Sequence, residues 1–421
     1  MPTDKRRVLL GNTVWSMANE VMTVLGSVVS VLLLIPRLGA TGYGTYIGMY
    51  ALIGPFTAFA QSGLTLTALQ GTVRDNEDPQ VVVRSCISLA VVSTLILSPF
   101  IMILGAWSLP MIDAWLLVAF IVAELLVQSV LNIVAAGAQG ARSFRAGVIM
   151  RLAFQTLRLV TTLVIVAAFD VTVVNLIVIN GAVLFMALVV LVCTPQWINV
   201  GSILPGRMHK RHLRSAADFG VGIAASITQN DSDKVFLNAS GFTKDAGLYG
   251  AAYRLVLLVG VPTSAFVSAT HFAVLGEAHQ QPNQFHQARR FALASLVYLV
   301  PASIACVLLA RFAPLILGDD FKGSVFMVQV LTPVLLMRSV GTFFANGLMG
   351  LNRNGLRTKV LVSNAVLAVG LYAVLIPGHS WKGAAVSSLI SEFSLATLLI
   401  ISLWKAQKSA NDRVLTTSMA S

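Results

Sequence analysis

Charged side chains are scarce. Asp, Glu, Lys and Arg make up 11% of the 421 residues, against about 25% in soluble domains. That scarcity excludes a water-soluble globule. Too few polar groups remain to cover a wet surface, so the 56% hydrophobic fraction must face lipid. Cysteine is also scarce. Cys86, Cys193 and Cys306 fall in or near apolar runs without pairing spacing, which leaves no basis for a disulfide framework or a metal site. Nucleotide motifs and metal-ligand clusters are missing, and no predicted outside loop is long enough to house an active site. A membrane glycosyltransferase or polymerase is therefore disfavoured, and no enzymatic cofactor is implied. His209 and His212 lie three apart without a third ligand, and read as solvated loop residues.

What is present is apolar sequence in lengths that suit a bilayer, about 20 residues per helical span. Such windows recur near 11–35, 44–69, 85–107, 114–136, 147–168 and 171–193. They recur again near 216–238, 247–275, 290–310, 324–349, 358–377 and 383–404. The expected fold is all-α and membrane-integral, with about twelve transmembrane helices in two six-helix bundles.

The basic residues set the orientation. With a cytoplasmic N-terminus, twenty of the 29 Lys and Arg fall in inside loops and five in outside loops, as the positive-inside rule requires. Both termini are thus expected in the cytoplasm. The formal charge of +12 belongs mostly to these loops. It implies contact with anionic membrane lipids rather than with nucleic acid. The N-terminal basic run precedes a long first span without a small-residue cleavage signal, and reads as a retained helix.

One stretch breaks the apolar pattern. Residues 194–214 are basic and contain two prolines, with Trp197, Ile198 and Leu204 placed to rest on a membrane surface. They read as a cytoplasmic linker between an N-terminal bundle (1–193) and a C-terminal bundle (215–405), followed by a tail (406–421). A faint echo agrees. Gly44-Thr-Tyr46, then Tyr50, matches Gly247-Leu-Tyr249, then Tyr253. Gly137-Ala-Gln-Gly140 matches Gly347-Leu-Met-Gly350. Six spans per half give parallel repeats about an axis along the membrane normal.

Inside the spans, polar residues recur on single helical faces. Ser16, Glu20, Thr23, Ser27 and Ser30 share one; Glu124, Gln128, Asn132 and Gln139 another; Arg151, Gln155, Arg158 and Thr162 a third. Arg254 shares a face with Ser264, Ser268 and His271, Arg338 is followed by Thr342, and Glu392 follows Ser388 and Ser391. Hydroxyl stripes alone can serve helix packing. Buried charges cost about 2.5–3.5 kcal/mol each on insertion scales and need a reason.

Arg158, Lys234, Arg254 and Arg338, from four spans, would give a central cavity a positive potential suited to a phosphate-bearing ligand. Glu20, Glu124, Asp231, Asp233 and Glu392 are candidates for coupling to a proton or sodium gradient. Two other readings stay open. The carboxylates are counter-ions, with Asp231 or Asp233 paired locally to Lys234, and Arg254 snorkels to the interface.

Several short motifs carry a family resemblance. Leu38-Gly39-Ala40-Thr41-Gly42-Tyr43-Gly44-Thr45-Tyr46 with Ser62-Gly63-Leu64, and Gln139-Gly140-Ala141-Arg142-Ser143-Phe144-Arg145, are two of them. Asp233-Lys234-Val235-Phe236-Leu237 with Ala246-Gly247-Leu248-Tyr249-Gly250-Ala251-Ala252-Tyr253-Arg254-Leu255, and Gly383-Ala384-Ala385-Val386, are the others. Together they resemble the polysaccharide-export, or lipid-linked oligosaccharide (O-antigen-type), flippases, in the superfamily that includes multidrug and toxin extruders. The resemblance implies a V-shaped, MATE-like alternating-access fold in a bacterial inner membrane. It also implies an undecaprenyl-diphosphate-linked oligosaccharide as substrate, with polysaccharide polymerase machinery as a partner. A multidrug or toxin antiporter of the same superfamily is the alternative. Such pumps favour cationic aromatic drugs, and the low aromatic content of 8% and the four buried cations argue against it.

Overall fold

The computed structural model describes residues 2–141, 144–193, 204–264, 266–267 and 283–420, with backbone alone through most of 2–31 and of 413–420. Every regular element among the described residues is helical. In chain order the long segments are α1 (2–38), α2 (40–74), α3 (Pro79–Ser108), α4 (114–141), α5 (Phe144–Ala168) and α6 (Val173–Cys193). They continue as α7 (Lys210–Ala239), α8 (Thr243–Val259), α9 (Gln284–Leu309), α10 (Ser324–Gly350), α11 (354–379) and α12 (381–420).

Local chemistry sets the boundaries. Gly39, at φ 65° and ψ 176°, separates α1 from α2 in backbone space that only glycine occupies readily. Asp78 caps α3 by accepting from the Gln80 amide at 2.9 Å, with Pro79 in the first turn where its missing N–H costs nothing. Asn283 caps α9 in the same way, through the His286 amide. Ser380, at φ 49°, divides α11 from α12, and its hydroxyl donates to Asp245 at the start of α8.

Eight stretches among the described residues are long and apolar enough to cross a bilayer. Twelve spans are expected; this count is of the described residues and leaves out most of the first predicted span, whose side chains lie outside them. The stretches over 32–74 and 354–412 each run through a backbone break. The polar run Gln229–Lys234 lowers the hydropathy of α7. Part of the predicted eighth span, with Ser268 and His271, lies outside the described residues. So do Arg142, Ser143, the linker stretch 194–203 and the side chain of Glu20.

The chain divides into two compact units, Met1–Ile227 and Thr228–Ser421, with the boundary inside α7. Residues 210–214 of the expected linker form the first turn and a half of that helix.

In the first unit, α2, α3 and α4 pack around Leu64, Val83, Cys86, Leu131 and Val134, all nearly inaccessible. Small residues permit this: a Cβ at Gly147 on α5 would strike the Ala135 carbonyl of α4. In the second unit, α9, α10 and α12 close over Phe343, Phe344, Leu348, Leu399 and Leu403. Large apolar side chains such as Leu95, Ile96, Phe100 and Ile103 of α3 remain exposed, as lipid-facing positions must.

Candidate functional site

Each unit buries one compact charge cluster. In the first, Glu124 sits on a π-turn, Val122–Val127, that interrupts α4 and shifts the register of its inward face by a residue. Its carboxylate is forked by Arg158 of α5: Nη2 reaches Oε1 at 2.8 Å and Nη1 reaches Oε2 at 3.2 Å. Tyr50 of α2 completes the set, donating to Glu124 Oε1 at 2.8 Å and accepting from Arg158 Nη2 at 2.9 Å. The Phe120 ring packs against Tyr50 in a T-shaped contact, 4.9 Å between ring centres. The carboxylate is 10% exposed, yet the arginine side chain keeps 30% of its surface. The pair therefore lies at the wall of the unit, with the cation outermost.

In the second unit, Arg338 of α10 donates from Nε and Nη2 to one oxygen of Glu392 of α12, at 3.0 and 2.5 Å. Its remaining donors reach Tyr253 Oη and Asn230 Oδ1, the latter at 2.7 Å. Exposure repeats the first pattern, 24% for the arginine and 4% for the glutamate.

Lys234 lies beside this group. Its ammonium donates to Asp231 at 2.9 Å, to Asp233 at 3.0 Å and to the Asn230 carbonyl at 2.7 Å, which uses all three protons. It also stands 4.5 Å from the centre of the Tyr253 ring, with the Arg338 guanidinium 5.5 Å from the same centre. One tyrosine thus touches both cations, by hydroxyl and by ring face. Beneath it, Tyr249 and Tyr372 both meet the Ser388 hydroxyl, at 3.1 and 3.0 Å, and fix α8, α11 and α12 together.

The residues singled out from sequence are therefore distributed. Arg158 and Glu124 belong to the first unit. Lys234, Arg338, Asp231, Asp233 and Glu392 gather in the second. Arg254 is exposed and takes no part in a hydrogen bond or ion pair among the described residues, though its charge bears on Asp231. The structure gives Glu124 and Glu392 arginine partners and Asp231 and Asp233 a lysine partner. His212 departs from the loop residue expected of it. It is buried, with Nδ1 at 3.0 Å from Ser85 and Nε2 at 3.0 Å from Glu77.

Tyr50 and Tyr253 are the functional candidates that sequence reasoning passed over. The signal was present, because both stand at the same place in the internal echo. A polar ring at an equivalent position in each half was a reason to look for a shared partner type.

The profile of the family described as "Polysaccharide biosynthesis protein" matches residues 9–279. No curated protein matches the chain. Among solved structures, the chain is similar to a multidrug resistance MATE family transporter of the MOP superfamily in its inward-facing conformation. The TM-score is 0.67 at 15% identity, over 93% of this chain and 99% of that one. The outward-facing conformation of a MATE family transporter gives 0.60 at 14%, over 95% and 96%. Lipid II flippase MurJ, in an inward closed conformation, gives 0.62 at 10% identity, over 98% and 93%. At these identities the likeness is one of fold.

Proposed function

Since this chain belongs to the polysaccharide biosynthesis protein family, we propose that it is a flippase for a lipid-linked saccharide. It would carry an undecaprenyl-diphosphate-linked oligosaccharide from the cytoplasmic to the outer leaflet by alternating access. The family and the transporter fold support a multi-pass membrane protein that moves a substrate rather than transforming it. Its place in this reading is a bacterial inner membrane, as the family resemblance implies, and the basic-residue distribution favours cytoplasmic termini.

The observation that carries the proposal is the paired geometry of Arg158 and Arg338. Each guanidinium is held from behind by a buried glutamate and a tyrosine, while about a quarter to a third of its side chain stays accessible. An arginine so placed offers phosphate oxygens a matching fork once its glutamate lets go of it. A diphosphate head group would compete with Glu124 or Glu392 for its arginine. Protonation of the carboxylate would release the arginine to the phosphate, and deprotonation after transfer would reclaim it. A proton or sodium gradient would act through this exchange, with Glu124, Glu392, Asp231, Asp233 and Glu20 as the coupling candidates.

The multidrug reading keeps one observation in its favour, the similarity to MATE structures. A pump for cations needs carboxylates free to meet them. Among the described residues, Glu124 and Glu392 are already paired with arginine, and Asp231 and Asp233 with Lys234.

The test is export in a strain lacking the gene and complemented with variants. Arg158→Lys and Arg338→Lys keep the charge and lose the fork. Accumulation of lipid-linked saccharide on the cytoplasmic leaflet is expected for each, with protein still present in the membrane. Export at the level of the unaltered protein in both variants would sink the proposal.

A further inference from the structure

The start of α7 and the residues before it form a strap across the first turns of α3. Arg84 donates from Nε to the Leu204 carbonyl at 3.2 Å and from Nη2 to Pro205 O at 3.4 Å. Ser88 Oγ donates to the Gly206 carbonyl at 2.7 Å, and the His209 amide donates to Ser85 Oγ at 3.1 Å. A clasp fixes the far end. His212 bridges Ser85 and Glu77, while Arg211 pairs with Asp75 and Glu77, each at 2.6 Å. Ser85 is fully buried, so the Ser85–His212–Glu77 array holds structure and reaches no substrate.

The strap's outward side remains to be explained. Leu204 is 62% exposed, Met208 50% and Leu213 55%. Arg207, Lys210 and Arg214 are exposed among them, with no acidic partner among the described residues. Three cations at the beginning of a helix run against its macrodipole. Asp75 and Glu77 offset only Arg211. Apolar side chains interleaved with unpaired cations suit neither bulk water nor the hydrocarbon core.

They suit the headgroup zone, and the strap's position agrees. It crosses α3 at its capped end, and α3 is a membrane-length helix whose later residues, Leu95, Ile96 and Phe100, face lipid.

We propose that the strap 204–214 is a docking surface for anionic phospholipid, with Arg207, Lys210 and Arg214 on the headgroup phosphates and Leu204, Met208 and Leu213 among the upper acyl carbons. This rests on the membrane reading of the chain and is independent of which substrate it carries. A strap pinned by its clasp keeps its cations at one depth, which turns general attraction into selectivity for charge.

The test uses the full chain in mild nonionic detergent with equal amounts of phosphatidylglycerol and phosphatidylcholine, and native mass spectrometry to count the lipids that stay bound. Each Lys or Arg near an anionic surface favours it about fivefold. The unaltered protein should therefore retain phosphatidylglycerol in clear excess, and the variant Arg207→Gln/Lys210→Gln/Arg214→Gln should lose most of that excess. The clasp is untouched, so the variant should keep its thermal transition. A second variant, Leu204→Ser/Leu213→Ser, should hold less lipid of both kinds and keep the preference.

Equal preference in the triple variant and the unaltered protein would overturn the proposal. So would loss of the excess on adding inorganic phosphate alone, which would indicate a free-anion site. A dimer mass that disappears with the three cations would assign the surface to a second copy of the chain instead.

Discussion

The two units solve one problem with different redundancy. Both set a tyrosine from the second helix of their half against an arginine–glutamate pair. In the first unit, Arg158 has one carboxylate and one hydroxyl, and Glu124 takes the fork through both oxygens. In the second, Arg338 spreads its donors over Glu392, Tyr253 and Asn230, with Lys234, Asp231 and Asp233 adjacent. The first cluster is smaller, a three-way set of Arg158, Glu124 and Tyr50 with the Tyr46 ring at the side of Tyr50. The second is a network, in which a missing member leaves its neighbours other partners. Loss of one member should therefore be felt more sharply in the first unit.

The largest expected effect follows from that contrast. Glu124→Ala leaves Arg158 without its only carboxylate, and removing one partner of a buried pair costs about 3–5 kcal/mol. Glu392→Ala leaves Arg338 bonded to Asn230 and Tyr253, so its loss should be smaller, about 2 kcal/mol. Chemical unfolding of both variants in the same detergent compares them directly. Equal losses would mean that the second cluster is no more redundant than the first.

The tyrosines sharpen the comparison at lower amplitude. Tyr50→Phe removes a donor to Glu124 and an acceptor for Arg158, two charge-assisted bonds, but leaves the arginine–carboxylate fork intact, and should cost about 1–2 kcal/mol. Tyr253→Phe removes one such bond and keeps the ring beneath Lys234 and Arg338. Tyr253→Leu also removes the ring and should cost about 1–2 kcal/mol more. The expected stability order from unfolding midpoints is Tyr253→Phe above Tyr253→Leu, with Tyr50→Phe below Tyr253→Phe. A Tyr253→Leu variant as stable as Tyr253→Phe would show that the ring face carries no cation.

Sequence made the helices legible and left their partnerships hidden. Window length and hydropathy locate segments well because a bilayer demands about 20 apolar residues per crossing. Facing polar residues were legible too, since Glu124, Arg158 and Arg338 each lie on a polar helical stripe. What no period of 3.6 can supply is the partner. Glu124 is 34 residues from Arg158 and 74 from Tyr50, and Arg338 is 54 from Glu392 and 108 from Asn230.

The four cations expected of a central cavity come from both units. The fold places Arg158 in one unit and Lys234 and Arg338 in the other, and leaves Arg254 exposed. The π-turn at Val122–Val127 was hidden for a related reason, since no residue type marks it. His212 was misjudged because its partners, Ser85 and Glu77, lie 127 and 135 residues away.

The smallest contrast concerns the two backbone breaks. The first unit turns α1 into α2 at Gly39, where glycine meets the positive φ without cost. The second turns α11 into α12 at Ser380, where a Cβ is carried at φ 49°, a conformation worth about 1–3 kcal/mol of strain. What holds it is the hydroxyl, which donates to Asp245 across to α8. The two substitutions at Ser380 therefore separate the two terms. Ser380→Ala keeps the strain and loses the bond, and should cost about 1 kcal/mol. Ser380→Gly loses the same bond and also the strain, and should fall within about 1 kcal/mol of the unaltered protein, on either side. If Ser380→Gly is the less stable of the two by unfolding midpoint, the positive φ is not a burden at this site. The bond to Asp245 would then hold a break that stores no strain, and it alone would set Ser380 apart from Gly39.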